Sequence, residues 1–181
     1  MEEDKRLIER YCNGDKDAIE ELVMKYQKQI YAFVYRIIND IEEAKDLTQK
    51  TFLKAFKAIK GFRKDASFKT WLYQIALNTS LSHFKQRSKK EKETELRETI
   101  IGSQAGALSF LIEKERIIYL KKALVELPER QRLAVVLRIY EGLSYKETAE
   151  VMGCSEGAVK AHYHTAVKGL KNILKERGYE F

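Results

Sequence analysis

The sequence contains little proline, glycine or cysteine. Among 181 residues, proline occurs once, glycine nine times and cysteine twice. Because turns between strands depend on glycine and proline, this shortage excludes a β-rich protein with many turns. Cys12 and Cys154 do not form a CxxC pair. The sequence therefore favours a reduced intracellular protein with two incidental thiols over a disulfide-stabilised one.

Long apolar runs are also missing. No stretch reaches the roughly 18 consecutive apolar residues of a membrane span. The first ten residues, MEEDKRLIER, are charged rather than apolar, so they do not resemble a signal peptide. We therefore expect a cytoplasmic protein that does not insert directly into a membrane.

The chemistry of an enzyme is absent as well. The sequence shows no phosphate-binding loop, no set of His, Cys, Asp or Glu residues spaced as metal ligands, and no nucleophile paired with a base. We expect no catalytic residue, no metal and no cofactor, and hence no enzyme.

Charged residues are abundant. They make up 34% of the chain, and the net charge is +7 with an isoelectric point near 9.2. A basic protein favours a polyanionic partner, either a nucleic acid or an acidic membrane face.

Apolar residues recur at helical spacing along most of the chain, which predicts an all-α fold. Helices are expected over 3–12, from Asp15 or Asp17 onward, after an N-cap at Asp40, and over about 67–87. The polar stretch that follows is typical of a linker. A helix is expected from 107 to Leu127, another over 129–140 with Pro128 at its first position, and two more over about 144–152 and 155–176. The predicted architecture is two small helical domains, 1–88 and 113–181, joined by a flexible linker over 89–112.

The C-terminal domain contains a helix-turn-helix pattern. Ser144 and Glu147 form a capping box, Gly153 suits the left-handed end of a helix, and Ser155 caps the next helix. A second helix placed after such a turn enters the major groove of DNA. Its inward stripe is Val159, Tyr163, Ala166, Leu170 and Leu174. At about 100° per residue, its outward face consists of Gly157, Lys160, Ala161, His164, Thr165 and Lys168.

Two histidines lie in this helix, in the stretch KAHYHTAV. His162 and His164 are two residues apart, so they point about 200° away from each other and cannot share a metal ion. No nucleophile or carboxylate is suggested beside them, which argues against catalysis. We interpret His162 as a boundary residue near the core and His164 as a groove contact.

The N-terminal domain contains two specific stretches, DLTQKTFLKAFKAI (46–59) and SFKTWLYQIALNTSLSHFKQR (67–87). The second mixes aromatic and basic residues, which suits either a helix core or the unstacked bases of a single strand. Together with LPERQRLAVVLRIYEGLSYKETAEVMG, these stretches resemble the extracytoplasmic-function group of bacterial sigma factors. The resemblance covers about residues 15–175, in the family's order.

The resemblance implies a role for each domain. Domain two of a sigma factor holds the clamp helices of the largest polymerase subunit and melts and reads the −10 promoter element. The resemblance places the polymerase contact at Asp46, Leu47, Gln49, Lys50 and Leu53. Lys50 departs from the acidic residue that the family often has there.

Domain two would also bind the single-stranded −10 element, and domain four would bind the −35 element as duplex. The −10 contacts would be Phe62, Arg63, Lys64, Ser67, Lys69, Trp71, Asn78 and Lys85. The −35 contacts would be Arg130, Ser144, Tyr145, Lys146, Ser155, Glu156, Gly157, Lys160, Ala161, His164, Thr165 and Lys168.

The sequence therefore predicts a sigma factor whose partners are bacterial core RNA polymerase, promoter DNA and an anti-sigma factor. The family alone implies the anti-sigma factor. One alternative is a sigma-like decoy that binds an anti-sigma protein without reading DNA. A plain helix-turn-helix regulator is a further alternative, but it would not need the first domain.

Overall fold

The computed structural model of the protein describes residues 2–62, 66–91, 120 and 122–178, with backbone alone over 87–91. Over these residues the chain forms helices and no strand, which confirms the predicted all-α fold. The N-terminal unit consists of α1 (Glu2–Cys12), α2 (Asp17–Ile38), α3 (Ile41–Ala58), a short 3₁₀ turn (Ile59–Gly61) and α4 (Phe68–Glu91). The C-terminal unit consists of α5 (122–126), α6 (Glu129–Val135), α7 (Tyr145–Met152) and α8 (Glu156–Glu176).

The turn between α2 and α3 is set by two adjacent residues. Asn39 adopts a left-handed conformation with φ of 58° and donates its backbone N–H to the carbonyl of Tyr35. Asp40 then caps α3, because its side chain accepts the backbone N–H of Glu43 at 2.9 Å. These two caps reverse the chain within two residues and lay α3 against α2.

The first helix is fastened to α2 by a buried acid. Asp4 is only 4% exposed, and its carboxylate accepts hydrogen bonds from the hydroxyl of Tyr26 at 2.9 Å and the ammonium of Lys25 at 2.7 Å. Leu7 and Ile8 of the same helix are buried against the core. Both apolar packing and charge-assisted hydrogen bonds therefore hold α1 in place.

The core of the N-terminal unit forms where α2, α3 and α4 meet. Leu22, Ile30 and Phe33 are fully buried on α2, as are Leu72 and Tyr73 on α4. The rings of Phe33 and Tyr73 pack edge to face with centroids 5.0 Å apart. This packing fixes α4, which carries half of the predicted −10 contacts.

The C-terminal unit packs around the inward stripe of α8. Val159, Ala166, Leu170 and Leu174 are buried, and Tyr163 is half-buried beside them, as the sequence predicts. On the same helix, a Cβ at Gly169 would lie 3.1 Å from a methyl of Leu127, so glycine allows close packing there.

The two units pack directly against each other, which the sequence did not predict. Helix α7 lies along α4, and apolar side chains of the C-terminal unit join the core of the N-terminal unit. Those side chains are Leu133, Val136, Leu137, Leu143 and Val151. The largest hydrophobic cluster of the described residues therefore spans both units, while two smaller clusters lie within the C-terminal unit.

Some boundaries differ from the sequence prediction. Pro128 is the N-cap of α6 rather than its first residue, since its ψ of 143° is extended while its carbonyl accepts the N–H groups of Gln131 and Arg132. The expected 129–140 helix changes at Val136 into a π-helical turn that runs to Tyr140.

Only the first three residues of the predicted linker, 89–91, can be compared with the structure. Helix α4 runs to Glu91, so 89–91 of the predicted linker are helical. Residues 92–112 of that linker, and most of the helix expected over 107–127, lie outside the described residues. The domain boundaries therefore stay a prediction.

Candidate nucleic-acid and polymerase interface

The helix-turn-helix has the local geometry that the sequence predicts. The Ser144 side chain accepts the backbone N–H of Glu147, and the Glu147 carboxylate accepts the backbone N–H of Ser144. Burial raises the pKa of Glu147, but the hydrogen bonds from Ser144 outweigh it and leave the pKa below its ordinary value. Gly153 ends α7 with φ of 61°, and Ser155 caps α8 by accepting the N–H of Ala158. The turn therefore fixes the angle at which α8 leaves α7.

The outward face of α8 is available to a ligand. All the residues predicted for this face are exposed, namely Gly157, Lys160, Ala161, His164, Thr165 and Lys168. Ser155 and Glu156 are also exposed at the beginning of the helix. On this face Lys160 and Lys168 lie on either side of Ala161, His164 and Thr165, so two cations flank smaller or neutral side chains, which suits close approach to a polyanion.

The two histidines of α8 separate as predicted. His164 is exposed, whereas His162 is half-buried at the edge of the core. Among the described side chains, no group of three or more His, Cys, Asp or Glu is placed to hold a metal ion.

Tyr145 supports α8 from below. Its ring packs edge to face against Tyr163, the guanidinium of Arg138 lies 4.2 Å from its centroid, and the ammonium of Lys160 lies 5.6 Å from it. Cation–π contacts of this kind orient the cation. Tyr145 therefore orients the Lys160 ammonium. Tyr145 is itself half-exposed, and its neighbours Ser144 and Lys146 are exposed.

An aromatic cluster surrounds the beginning of α4. The rings of Phe62, Phe68 and Trp71 lie 5.0 to 5.9 Å from one another. Phe68 is buried, but Phe62 and Trp71 are half-buried and offer part of each ring to the surface. Ser67 caps the helix by accepting the N–H of Thr70 at 3.0 Å. Arg63 and Lys64, also predicted to contact the −10 strand, lie outside the described residues.

Further along α4, Asn78 and Lys85 are both exposed and lie two turns apart on one face. Lys69 is half-buried, and its ammonium donates a hydrogen bond to the backbone carbonyl of Glu141 at 2.9 Å. The structure therefore brings one predicted −10 residue into contact with the C-terminal unit.

The predicted polymerase surface on α3 divides into exposed and buried residues. Asp46, Gln49, Lys50 and Leu53 are exposed, and Leu53 keeps 61% of its surface in contact with solvent. Leu47 is 3% exposed and lies in the core, so it supports this surface from below rather than forming it. On α6, Arg130 is exposed at the first turn.

Sequence reasoning missed Glu141. This acid is 8% exposed, and its carboxylate accepts hydrogen bonds from Arg36 at 2.8 Å and from the hydroxyl of Tyr73 at 2.5 Å. Burial raises its pKa above the ordinary value, and burial beside this carboxylate also raises the pKa of Tyr73. In the stretch RIYEGLSYKE, Glu141 has the composition of an ordinary loop acid, so no local pattern signals its burial.

No helix among the described residues is both long enough and apolar enough to cross a membrane.

Comparisons with known proteins agree on one family. The family model described as Sigma-70 region 2 matches residues 22–90, and the model described as Sigma-70, region 4 matches residues 117–170. The chain is 35% identical to the RNA polymerase sigma-H factor of Pseudomonas aeruginosa, over 97% of this chain and 95% of that one. It is 31% identical to the ECF RNA polymerase sigma-E factor of Escherichia coli K12, over 95% and 94% of the two chains.

A solved structure matches both units together. It is the sigma factor RpoE of Bartonella quintana in complex with the anti-sigma factor NepR. The match has a TM-score of 0.72 and 27% sequence identity, and it covers 86% of this chain and 96% of that one.

Proposed function

This chain belongs to the extracytoplasmic-function group of sigma factors, and we propose that its two units read the two elements of a promoter separately once it is bound to core RNA polymerase. As a sigma factor it regulates transcription initiation and is not an enzyme. One observation carries the proposal: the same chain has three separate candidate surfaces. They are the exposed apolar Leu53 on α3, the partly exposed aromatic rings at the beginning of α4, and the capped recognition helix α8. A plain DNA-binding regulator needs only the last of these.

The polymerase contact is proposed for the exposed face of α3. Leu53 supplies a small apolar centre, and Asp46, Gln49 and Lys50 supply a polar surround. Transient protein interfaces combine an apolar centre with a polar rim in this way. The buried Leu47 anchors α3 so that these side chains keep their spacing.

The −10 contact is proposed for the beginning and outer face of α4. A base that has left the duplex can stack on an aromatic ring, and each such contact contributes about 1–3 kcal/mol. Phe62 and Trp71 offer part-exposed rings, while Lys69, Asn78 and Lys85 offer groups that bind phosphate or base edges. Arg63 and Lys64 are proposed to join them.

The −35 contact is proposed for α8 and the beginning of α7. Residues Lys160, Ala161, His164 and Thr165 are proposed to lie in the major groove. The proposed contacts to the DNA backbone are Arg130, Ser144, Tyr145, Lys146, Ser155, Glu156, Gly157 and Lys168. The family often has arginine where this chain has His162, Thr165 and Val167, so we expect a −35 preference of its own.

The proposed location is the cytoplasm, where core polymerase and the chromosome are found. The proposed partners are core polymerase, promoter DNA and an anti-sigma factor. The anti-sigma factor is proposed because the structurally similar Bartonella sigma factor is bound to one.

The decisive experiment is run-off transcription with bacterial core polymerase on a promoter library. Initiation from a defined subset of promoters is expected, with His164→Ala changing the base preference in the −35 element. Asn172→Ala serves as the control, because Asn172 is an exposed polar residue of the same helix outside the proposed DNA contacts. Absence of initiation from every promoter, together with tight binding to an anti-sigma protein, would instead identify a decoy.

A further inference from the structure

A cavity of about 240 Å³ lies where α2 of the N-terminal unit faces α5, α6 and the π-helical turn of the C-terminal unit. Among the described residues, its wall contains three tyrosine rings, two guanidinium groups and no acidic side chain. None of these residues belongs to the DNA or polymerase contacts proposed above. The proposed function therefore leaves this cavity unexplained.

Arg132 contributes a guanidinium with unused donors to the cavity. Its Nη1 donates to the backbone carbonyl of Val125 at 3.0 Å, which is its only hydrogen bond to a described residue. Its Nε is buried and has no hydrogen-bond partner among the described residues. Burial lowers the pKa of Arg132 below its ordinary value, and the charge of Glu129 offsets this only in part. A partly buried guanidinium in this state gains from an anion that accepts its remaining N–H groups.

The second guanidinium of the wall, that of Arg36, already has an anion. It donates a hydrogen bond to the Glu141 carboxylate at 2.8 Å and lies 4.5 Å from the centroid of the Tyr140 ring. The unbalanced positive charge of the wall is therefore that of Arg132. A carboxylate matches this single charge, whereas a phosphate monoester, with a charge of about −1.5 to −2 at neutral pH, would exceed it.

The rest of the wall suits a flat apolar ring. The rings of Tyr31 and Tyr35 lie nearly parallel, with 15° between their planes and 6.2 Å between their centroids. Leu124 and Val136 are buried apolar residues of the same wall. Aromatic rings contact one another favourably edge to face or offset-stacked, and apolar side chains line most small-molecule sites. An aromatic ring would therefore find suitable neighbours in this cavity.

The volume limits the ligand to a small molecule. Sites for drug-sized ligands have volumes of about 300–1,000 Å³, and this cavity is smaller. Its size is suited to one ring that carries a short acidic group. Val125 and Tyr140 are lining residues with exposed side chains, so the cavity is open to solvent.

We propose that this cavity binds a small aromatic carboxylate, with the carboxylate on the Arg132 guanidinium and the ring beside Tyr31 and Tyr35. Because side chains of both units line the cavity, the ligand contacts both units at once. The inference goes beyond the proposed function. Binding can be measured on the free protein, without polymerase or promoter DNA, so a failure of either proposal leaves the other standing.

Benzoate is the probe, and benzamide and acetate are its matched comparisons. Benzamide keeps the ring and nearly the same shape without the charge, whereas acetate keeps the charge without the ring. Titration of nitrogen-15-labelled protein at constant ionic strength gives each dissociation constant from the NMR shifts, and the Nε–H signal of Arg132 reports on the guanidinium itself. We expect saturation by benzoate with a Kd on the order of 0.1–1 mM. Benzamide and acetate should bind at least about tenfold more weakly, because each lacks one of the two contacts.

Two variants alter the cavity in different ways. Arg132→Gln removes the charge, so it should bind benzoate about ten- to hundredfold more weakly and should no longer prefer benzoate to benzamide. Ala32→Leu adds an apolar side chain to the wall and keeps Arg132, so it should weaken the binding of benzoate and benzamide alike. Lys175→Gln is the matched control, because it removes one positive charge from an exposed position of α8 that does not line the cavity.

Four results would overturn the proposal. Benzoate that fails to saturate the protein below about 10 mM would leave no site of useful affinity. Equal affinities of the native protein for benzoate and benzamide would remove the role of the Arg132 charge. Tighter binding of phenyl phosphate than of benzoate would contradict a carboxylate as the ligand class. Native-like benzoate affinity in Ala32→Leu would place the binding elsewhere on the protein, and this variant decides the location even where Arg132→Gln does not fold.

Discussion

Leu53 offers the most direct test of the polymerase surface. About three fifths of this side chain is exposed on α3, although leucine is an apolar residue. Full burial of a leucine side chain contributes about 1.5–3 kcal/mol, so covering the exposed part would contribute about 1–2 kcal/mol. Leu53→Ala should therefore weaken binding to core polymerase about five- to thirtyfold.

The assay is competition for core polymerase against a fluorescently labelled native protein. Because Leu53 is exposed, the free energy of unfolding should change by less than about 0.5 kcal/mol, which denaturant unfolding can verify. Met24→Ala is the matched control, since Met24 is an exposed apolar residue on α2 with 65% of its surface in solvent. It should leave polymerase affinity unchanged.

Two results would refute the reasoning about Leu53. Native-like polymerase affinity of Leu53→Ala would remove α3 from the interface at this position. An equal loss of affinity for Met24→Ala would show that general surface apolarity, rather than the α3 face, determines binding.

Three further predictions concern the rest of the structure. Ser144→Ala removes half of the capping box of α7 and should lower the free energy of unfolding by about 1 kcal/mol, measured with denaturant, whereas Ser144→Thr should restore most of it. Tyr26→Phe removes a donor from the buried Asp4 carboxylate and should lower the free energy of unfolding by about 1.5–3 kcal/mol, while the matched Tyr31→Phe should change it by less than about 0.5 kcal/mol. Burial raises the pKa of Glu141, so its protonated form is favoured while the two units are in contact. Its contribution to that contact is present at low pH and is lost as the pH rises through the raised pKa. The distance between spin labels on Cys12 and Cys154 should therefore lengthen as the pH rises above the ordinary value of 4.5. Arg36 and Lys69 are the cations that face Glu141. The nearby Glu147 has a pKa below its ordinary value of 4.5, so it titrates at lower pH than Glu141.

Each of these predictions can fail in a defined way. A Ser144→Ala protein as stable as the native one would show that the capping box contributes nothing to α7. Equal stabilities for Tyr26→Phe and Tyr31→Phe would remove the hydrogen bond to Asp4 as a stabilising contact. A distance that shortens as the pH rises above 4.5 would have the wrong sign for Glu141, and a pH dependence that persists in Glu141→Met would assign it to another group.

The features that could be predicted from the sequence depend on neighbouring residues. Ser144 and Glu147 are three positions apart, and Gly153 adopts its left-handed conformation without help from distant contacts. The alternation of exposed and buried residues on α8 follows from helical geometry alone. Such local preferences agree with the final fold, which explains why the helix-turn-helix and its outward face were predicted correctly.

The features that could not be predicted depend on distant residues. Glu141 contacts Tyr73 at a separation of 68 positions and Arg36 at a separation of 105. The π-helical turn before it lies where α6 meets this shared interface, whereas the periodicity of the sequence predicts only a continuous helix over that stretch.

The contact between Asp4 and Tyr26 has a consequence for anyone who prepares region 2 as a separate fragment. The Sigma-70 region 2 match begins at residue 22, twenty residues after the beginning of α1. A fragment cut at that boundary would lose Asp4 and the buried Leu7 and Ile8, and it would leave the Tyr26 hydroxyl without its acceptor beside a newly exposed apolar surface. Fragments that begin at residue 22 should therefore aggregate more readily than matched fragments that keep residue 2 onward.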